Sequence, residues 1–116
     1  MTSYELSRIA AQAALKKKGT NVVIMDLQEI SIITDYFVIC SANNLNQVQA
    51  ICEFIEEEVN LAGGEPPLRI EGFKEGRWVL IDFGSVVVHV FQEEERLYYN
   101  LERLWGDAKF TYYQEQ

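Results

Sequence analysis

The sequence predicts an α+β fold with a single mixed five-stranded sheet and helices mainly on one face. One reason is the order of its periodic segments, which read as helix, two strands, helix, three strands and helix. Another is a hairpin signature in residues 78–91, where two apolar strands flank a turn of Gly84 and Ser85. The 116 residues contain no repeat or linker, which indicates one domain. We assign residues 1–108 to this domain and residues 109–116 to a C-terminal tail that is either flexible or docked elsewhere.

Each element has a local signal of its own. Thr2 and Glu5 fit a capping box at the start of a helix over residues 2–18, and Gly19 offers a stop. Two nearly continuous apolar runs predict buried strands, and paired asparagines then offer an N-cap to a second amphipathic helix. Strands are expected at residues 21–27, 36–40, 68–71, 78–83 and 86–91. The remaining helices are expected at residues 45–62 and 93–105.

The hairpin sequence also predicts a register and therefore two faces. If Gly84 and Ser85 form the turn, one face contains only Val, Ile and Phe, which suits burial under helices. The other face combines apolar groups with a Trp, a carboxylate and the single His of the chain, a composition typical of binding surfaces. Another part of the same chain could equally cover it. The pairs expected on this second face are Asp82 with Val87, Leu80 with His89, and Trp78 with Phe91.

Composition limits the classes of partner and compartment. There are 18 acidic and 10 basic residues, a net charge of −8, so the chain is poorly suited to gripping nucleic acid unaided. The charge either suits a basic protein partner or keeps the protein soluble. No apolar run is long enough for a membrane span and no secretory signal is visible, so we expect a cytoplasmic protein without membrane contact. Cys40 and Cys52 match no metal spacing and are expected to be core thiols.

Enzyme signatures are missing from the sequence. Neither a phosphate-binding loop nor a dinucleotide-binding glycine motif is present, and one His without a nearby Cys does not make a standard zinc site. The Asp residues are isolated, whereas two-metal phosphoryl chemistry needs clustered carboxylates. A hydrolytic triad with His89 and Asp82 lacks a nucleophile elbow. We therefore expect no catalytic residue, cofactor or metal.

Several separated motifs resemble the Iojap family, the ribosomal silencing factors. Residues 35–41 match the signature D-Y-F-V-I-x-S, and Glu71-Gly72 follows in the right order. The hairpin strands and a last stretch ending at Trp105 complete the pattern, so the resemblance covers nearly the whole chain. Departures are small: Phe83 stands where the family often has Tyr, and Ser85 where it often has Asp.

The resemblance implies a fold, a partner and a mode of action. Family members have a fold like a reduced nucleotidyltransferase domain, and they bind the large ribosomal subunit through its ribosomal protein fourteen. The bound factor blocks joining of the small subunit and lowers translation when nutrients are scarce. On this basis the second hairpin face is expected to dock on that protein. Trp78 would be the anchor, Leu80 and Phe91 would extend the apolar centre, Asp82 would pair with a Lys or Arg, and His89 would form a hydrogen bond at the edge.

Two other classes of function stay open at this point. A nucleotide-binding or residual nucleotidyltransferase-like protein is supported only by analogy of fold. A homodimer that uses the same face would compete with the ribosome. Some residues also have local explanations: His89 could be satisfied within the chain, and Arg96 and Glu102 could form a salt bridge. The aromatic and leucine side chains expected in the core rather than at a contact are Tyr36, Phe37, Leu101 and Trp105.

Overall fold

One mixed sheet of six strands organises the chain, which the computed structural model describes over residues 1–113. In chain order the elements are α1 Ser3–Lys16, β1 Thr20–Asp26, β2 Tyr36–Ala42, α2 Leu45–Leu61, β3 Arg69–Glu71, β4 Trp78–Asp82, β5 Val86–Gln92, α3 Glu93–Tyr99, α4 Leu101–Leu104 and β6 Lys109–Tyr113. The strands lie side by side in the order β3-β4-β5-β2-β1-β6. Only β2 and β5 are parallel neighbours, which confirms the predicted mixed sheet.

Two helices, α1 and α2, cover one face of this sheet and enclose the larger core. The capping box at Thr2 is formed, because its hydroxyl accepts from the Glu5 N–H at 3.1 Å and the Glu5 carboxylate accepts from the Thr2 N–H. Four nearly inaccessible alanines of α1 let the helix lie close to its neighbours. The buried stripe of α2 consists of Val48, Ile51, Cys52, Ile55 and Val59.

Both cysteines lie in that core, as expected for core thiols. Cys40 and Cys52 are buried and free of a disulfide. Burial raises the pKa of the Cys40 thiol to about 12, so it stays protonated and unreactive near neutral pH.

The last predicted helix is broken, and the expectation of one helix over residues 93–105 is wrong. Asn100 adopts the left-handed conformation, with φ 46° and ψ 61°, and separates α3 from α4. Asn tolerates this conformation better than most residues because its short amide side chain can hydrogen-bond locally. The bend returns Leu101 and Trp105 to the opposite face of the sheet, where they pack on a second, smaller core with Phe91, Ile39 and Met25.

A sixth strand lies where the sequence analysis placed the beginning of a tail. Strand β6 pairs antiparallel with β1, with Ile24 opposite Thr111 and Met25 opposite Phe110. The physical reason is the buried character of β1, whose backbone needs a ladder partner on its second edge. Aromatic and β-branched residues in 110–113 suit that role. Residues 114–116 of the expected tail lie outside the described residues.

The predicted hairpin register is confirmed. Trp78 pairs with Phe91, Leu80 with His89, and Asp82 with Val87. Beyond these pairs the Phe83 N–H donates to the Val86 carbonyl at 2.9 Å, and Gly84 in the turn has a φ of +90°. The register sends Val79, Ile81, Val88 and Val90 into the core under α1 and α2.

We expect Gly72→Ala to destabilise the fold more than Gly63→Ala. Both glycines have positive φ, +81° and +88°, so each substitution should cost about 1 kcal/mol from backbone strain alone. A Cβ at Gly72 would also collide with the backbone carbonyl of Trp78, whereas one at Gly63 meets nothing within 4 Å. The additional cost at Gly72 should be about 1–3 kcal/mol, as for other overpacked sites. Urea unfolding of the two variants measures the difference, and equal costs would contradict this close approach.

Candidate functional site

The side of β4, β5 and the start of β2 that points away from α1 and α2 carries seven side chains, which we call the outer face; Ile39 and Ser41, farther along β2 on the same side, are fully buried. Side chains alternate along a strand, so the neighbours of these residues enter the core and they themselves point outward. The five residues predicted for partner binding are all brought together here. The outer face consists of Phe37, Trp78, Leu80, Asp82, Val87, His89 and Phe91.

The chain itself covers one end of the outer face. Phe91 is fully buried and His89 is 4% exposed, whereas Trp78, Leu80 and Asp82 are half-buried. Tyr99 of α3 lies against Trp78, with ring centroids 4.6 Å apart, and Trp78 stacks on Phe91 at 5.0 Å. Phe91 therefore supports the Trp78 ring from below and does not extend an exposed apolar centre. The chain itself therefore covers one end of this face and leaves the other open, and partner binding at the open end stays a prediction.

His89 is buried beside Trp78 and does not lie at an edge. The Trp78 indole Nε1–H donates to His89 Nδ1 at 3.1 Å, and Phe37 packs edge-on against the imidazole at 4.6 Å between ring centroids. An indole N–H only donates, so Nδ1 must be the accepting nitrogen and the neutral ring carries its proton on Nε2. Burial lowers the pKa of His89 to about 4, so the ring is neutral near pH 7.

Asp82 already has partners within the chain. Its Oδ2 accepts from Arg69 Nε at 3.2 Å, and its Oδ1 accepts from the Gly84 N–H at 2.8 Å, which braces the hairpin turn. A Lys or Arg of a partner would therefore have to share this carboxylate or displace Arg69. Because the Arg69 side chain is 61% exposed, the existing ion pair is weak and displacement costs little.

A pocket of about 420 Å³ opens on the outer face. Two of the residues that line it, Thr34 and His89, each carry a buried polar atom, Oγ1 and Nε2, with no hydrogen-bond partner among residues 1–113. Leu68 and Ile33 stand at the pocket largely exposed, at 75% and 87%. The lining comprises Ser31, Ile33, Thr34, Phe37, Leu68, Arg69, Leu80, Asp82, Gly84, Val87, His89 and Trp105.

Several of these pocket residues are absent from the set predicted for partner binding. Ile33, Thr34 and Leu68 have no predicted role, and Phe37 and Trp105 are predicted in the core. The last two are half-buried, pack against the smaller core and also line the pocket. One signal was available for the loop. Ile32 and Ile33 follow one another in a segment that forms neither helix nor strand, and exposed apolar residues there indicate an interaction surface.

Arg96 holds α3 and α4 in place beside the outer face. It is 7% exposed, donates to the Asn21 carbonyl and, at 3.0 Å, to the Ser41 hydroxyl, and pairs with Glu102 at 3.3 Å. This confirms the expected Arg96–Glu102 salt bridge. These contacts join both short helices to β1 and β2, so the position of Tyr99 over Trp78 depends on them.

Residues 1–113 offer neither a metal cluster nor a membrane-spanning helix. Within that range no group of three or more His, Cys, Asp or Glu is arranged to hold a metal ion. No helix among those residues is both long enough and apolar enough to span a bilayer.

The fold and the outer face define a small α+β domain with a partly open apolar surface. Comparison of the chain with known protein families, sequences and structures shows which proteins it resembles. The family described as "Ribosomal silencing factor during starvation" matches residues 1–116. The ribosomal silencing factor RsfS of Bacillus subtilis is 46% identical over 108 residues, covering 93% of this chain and 91% of that protein. The chloroplastic protein Iojap of Zea mays is 31% identical, covering 84% of this chain and 42% of that protein. A crystal structure of a Chromobacterium violaceum protein superimposes with a TM-score of 0.87 at 30% identity, covering 99% of this chain and 95% of that one.

The chain belongs to the ribosomal silencing factor family. This confirms the resemblance that the motifs in residues 35–41 and 78–91 indicated. The likeness to a reduced nucleotidyltransferase domain stays a prediction.

We expect Arg96→Lys to lower the free energy of unfolding by about 1–3 kcal/mol, because an ammonium cannot reproduce the buried fork of hydrogen bonds. Arg77→Lys is the matched control. Arg77 also pairs with a glutamate, Glu95, at 3.3 Å, but its side chain is 70% exposed. The control should therefore change stability by less than about 0.5 kcal/mol. Urea unfolding compares the two, and a small loss for both variants would show that Arg96 does not anchor α3 and α4.

Stability should fall as the pH drops from 6.5 to 4. The ordinary pKa of His is 6.5 and that of folded His89 is about 4, so between these values the unfolded chain binds more protons. Protonation of His89 on unfolding therefore lowers the free energy of unfolding by about 3 kcal/mol between pH 6.5 and pH 4, and it has no effect above pH 6.5. Unfolding free energies of the wild type and His89→Gln across this range measure it, since carboxylate titration is common to both. Parallel pH profiles would contradict the buried, neutral imidazole.

Proposed function

We propose that this chain binds the large ribosomal subunit through its ribosomal protein fourteen and thereby blocks joining of the small subunit. Translation would fall under nutrient limitation as a consequence. Membership of the ribosomal silencing factor family supports the ribosome as the target. The observation that carries the choice of surface is the open end of the outer face, where half-buried Leu80 and Asp82 line a largely apolar pocket and half-buried Trp78 lies at the border with the covered end.

The composition of this surface favours a protein contact. Apolar and aromatic groups dominate the centre of protein interfaces, and truncating a central Trp typically has a large effect on affinity. Exposed apolar side chains continue around the open end at Ile32, Ile33 and Leu68. A surface of this kind loses water-exposed apolar area when a partner covers it, which provides the driving force for binding.

The charge of the chain favours a basic partner. Its net charge of −8 repels the phosphates of ribosomal RNA and attracts a basic ribosomal protein. Electrostatic attraction of this sort raises the association rate and selects the partner more than it adds affinity. The chain would thus reach the ribosome in the cytoplasm through a protein component, with sequence-specific nucleic-acid contacts unnecessary.

The proposed action needs occupancy of a site and no chemical step. A bound domain at the subunit interface would exclude the small subunit sterically. Its effectiveness would depend on affinity and concentration alone, so neither a cofactor nor a catalytic residue enters the proposal.

The first experiment is co-sedimentation of the purified chain with separated ribosomal subunits at moderate salt, together with an assay of subunit joining. We expect pelleting with the large subunit only and reduced joining. Trp78→Ala should weaken binding by about thirtyfold or more if Trp78 is a central anchor, and Leu80→Ala should have a smaller effect in the same direction.

Leu61→Ala is the matched control for Leu80→Ala. Leu61 is an exposed leucine at the end of α2, on the opposite side of the sheet, and should leave binding unchanged. Normal binding by the double variant Trp78→Ala/Leu80→Ala would exclude the outer face as the docking surface. Absence of the wild-type chain from both pellets would contradict ribosome binding itself.

A further inference from the structure

Two residues that line the pocket on the outer face each carry a buried polar atom without a partner in the described part of the chain. Thr34 is 7% exposed and His89 is 4% exposed, yet Thr34 Oγ1 and His89 Nε2 contact no donor or acceptor in the described part of the chain. Buried polar groups are hydrogen-bonded in the great majority of cases, because an unmade hydrogen bond is costly. Because both residues line the same largely apolar pocket, a small side-chain adjustment would open these atoms to an entering ligand that supplies their partners.

The direction of the hydrogen bonds defines the chemistry of that ligand. Nδ1 of His89 accepts from the Trp78 indole, so Nε2 carries the proton and can only donate. The Thr34 hydroxyl can donate or accept. The group that enters must consequently present an acceptor oxygen to His89.

The charge of the pocket argues against an ionised ligand group. Its carboxylate, Asp82, is offset by Arg69 at 3.2 Å and accepts from the Gly84 N–H, and the imidazole is neutral. A cation reaching His89 would be repelled by the Nε2–H proton. An anion would lose its hydration among the apolar side chains of Phe37, Val87 and Leu80, which is costly. The acceptor oxygen therefore belongs to an uncharged hydroxyl or amide.

We propose that the pocket receives one uncharged hydroxyl- or amide-bearing side chain of the ribosomal protein partner, whose oxygen accepts from His89 Nε2–H and exchanges a hydrogen bond with the Thr34 hydroxyl. This inference rests on the proposed function and specifies what enters the face. The pocket of about 420 Å³ has ample room for one side chain, and exposed Ile33 and Leu68 flank it to exclude water once the partner is docked.

The decisive variant is Thr34→Val, which removes the hydroxyl and nearly preserves the shape of the side chain. Because the hydroxyl is unpartnered in the free chain, we expect the melting temperature to rise, while the dissociation constant for the large subunit increases about three- to tenfold. Thr111→Val is the control, since Thr111 is exposed on β6 and takes no part in the pocket. It should leave the dissociation constant unchanged.

The outcomes separate this inference from the proposed function. If wild-type chain does not bind the large subunit, the proposed function fails and the inference fails with it. If it binds and Thr34→Val binds equally well, only the inference is overturned. If Thr34→Val has both a lower melting temperature and a lower affinity for the large subunit, the hydroxyl has a structural role, and this result also overturns the inference.

A second measurement identifies the source of the acceptor. Purified ribosomal protein fourteen, without RNA, should reproduce the effect of Thr34→Val and should shift the ¹⁵N resonance of His89 Nε2 on binding. An effect that appears only with the intact subunit would assign the acceptor to ribosomal RNA and overturn a protein source. Unchanged His89 resonances in a formed complex would overturn the contact itself.

Discussion

A single buried cation, Arg96, sets how much of the outer face is open. Its guanidinium reaches the Asn21 carbonyl and the Ser41 hydroxyl and pairs with Glu102, so one side chain joins α3, α4, β1 and β2. An Arg buried to this degree must have its donors satisfied, and the planar fork of five N–H groups permits several acceptors at once. The short helices are too small to be held by their own hydrogen bonds, and this network fixes them on the sheet.

That anchoring divides the outer face into two parts with different roles. On the covered side, Tyr99 packs on Trp78 and Phe91, and the stack limits the rotamers that Trp78 can adopt. On the open side, Trp105 packs edge-on against Phe37 at 5.9 Å and contributes a wall of the pocket. If Trp78 is the proposed anchor, its already ordered ring loses little conformational entropy on binding, so this packing would favour affinity.

The parts of the fold that the sequence predicted are those decided by local chemistry. The Gly84-Ser85 turn and the alternation around it determine the register, because a slip by one residue would move Trp78, Leu80 and Asp82 to the core side. The parts it did not predict depend on tertiary contacts. Strand β6 exists because β1 needs a second partner, and the break at Asn100 lets Leu101 and Trp105 reach a core whose position no local pattern contains.

The candidate site shows the same division at the level of single residues. The face of Trp78, Leu80, Asp82, His89 and Phe91 follows from hairpin register, but the depth of each side chain depends on which segments lie over it. Sequence spacing also could not predict that Thr34 and Leu68 line one pocket, because Thr34 lies in the loop before β2 and Leu68 in the loop before β3.

Two buried polar atoms beside that pocket, Thr34 Oγ1 and His89 Nε2, carry an energetic cost in the free chain. A chain selected for stability alone would place Val at Thr34 and an apolar ring at His89, since both sites lie among apolar neighbours. Yet His89 also accepts the indole proton of Trp78 and so fixes the orientation of the anchor ring. Replacing it by an apolar ring would leave that indole without its acceptor, so the half-satisfied imidazole is retained as a consequence of orienting Trp78. The Thr34 hydroxyl has no hydrogen-bond partner among the described residues, so the proposed ligand accounts for it more directly than for His89.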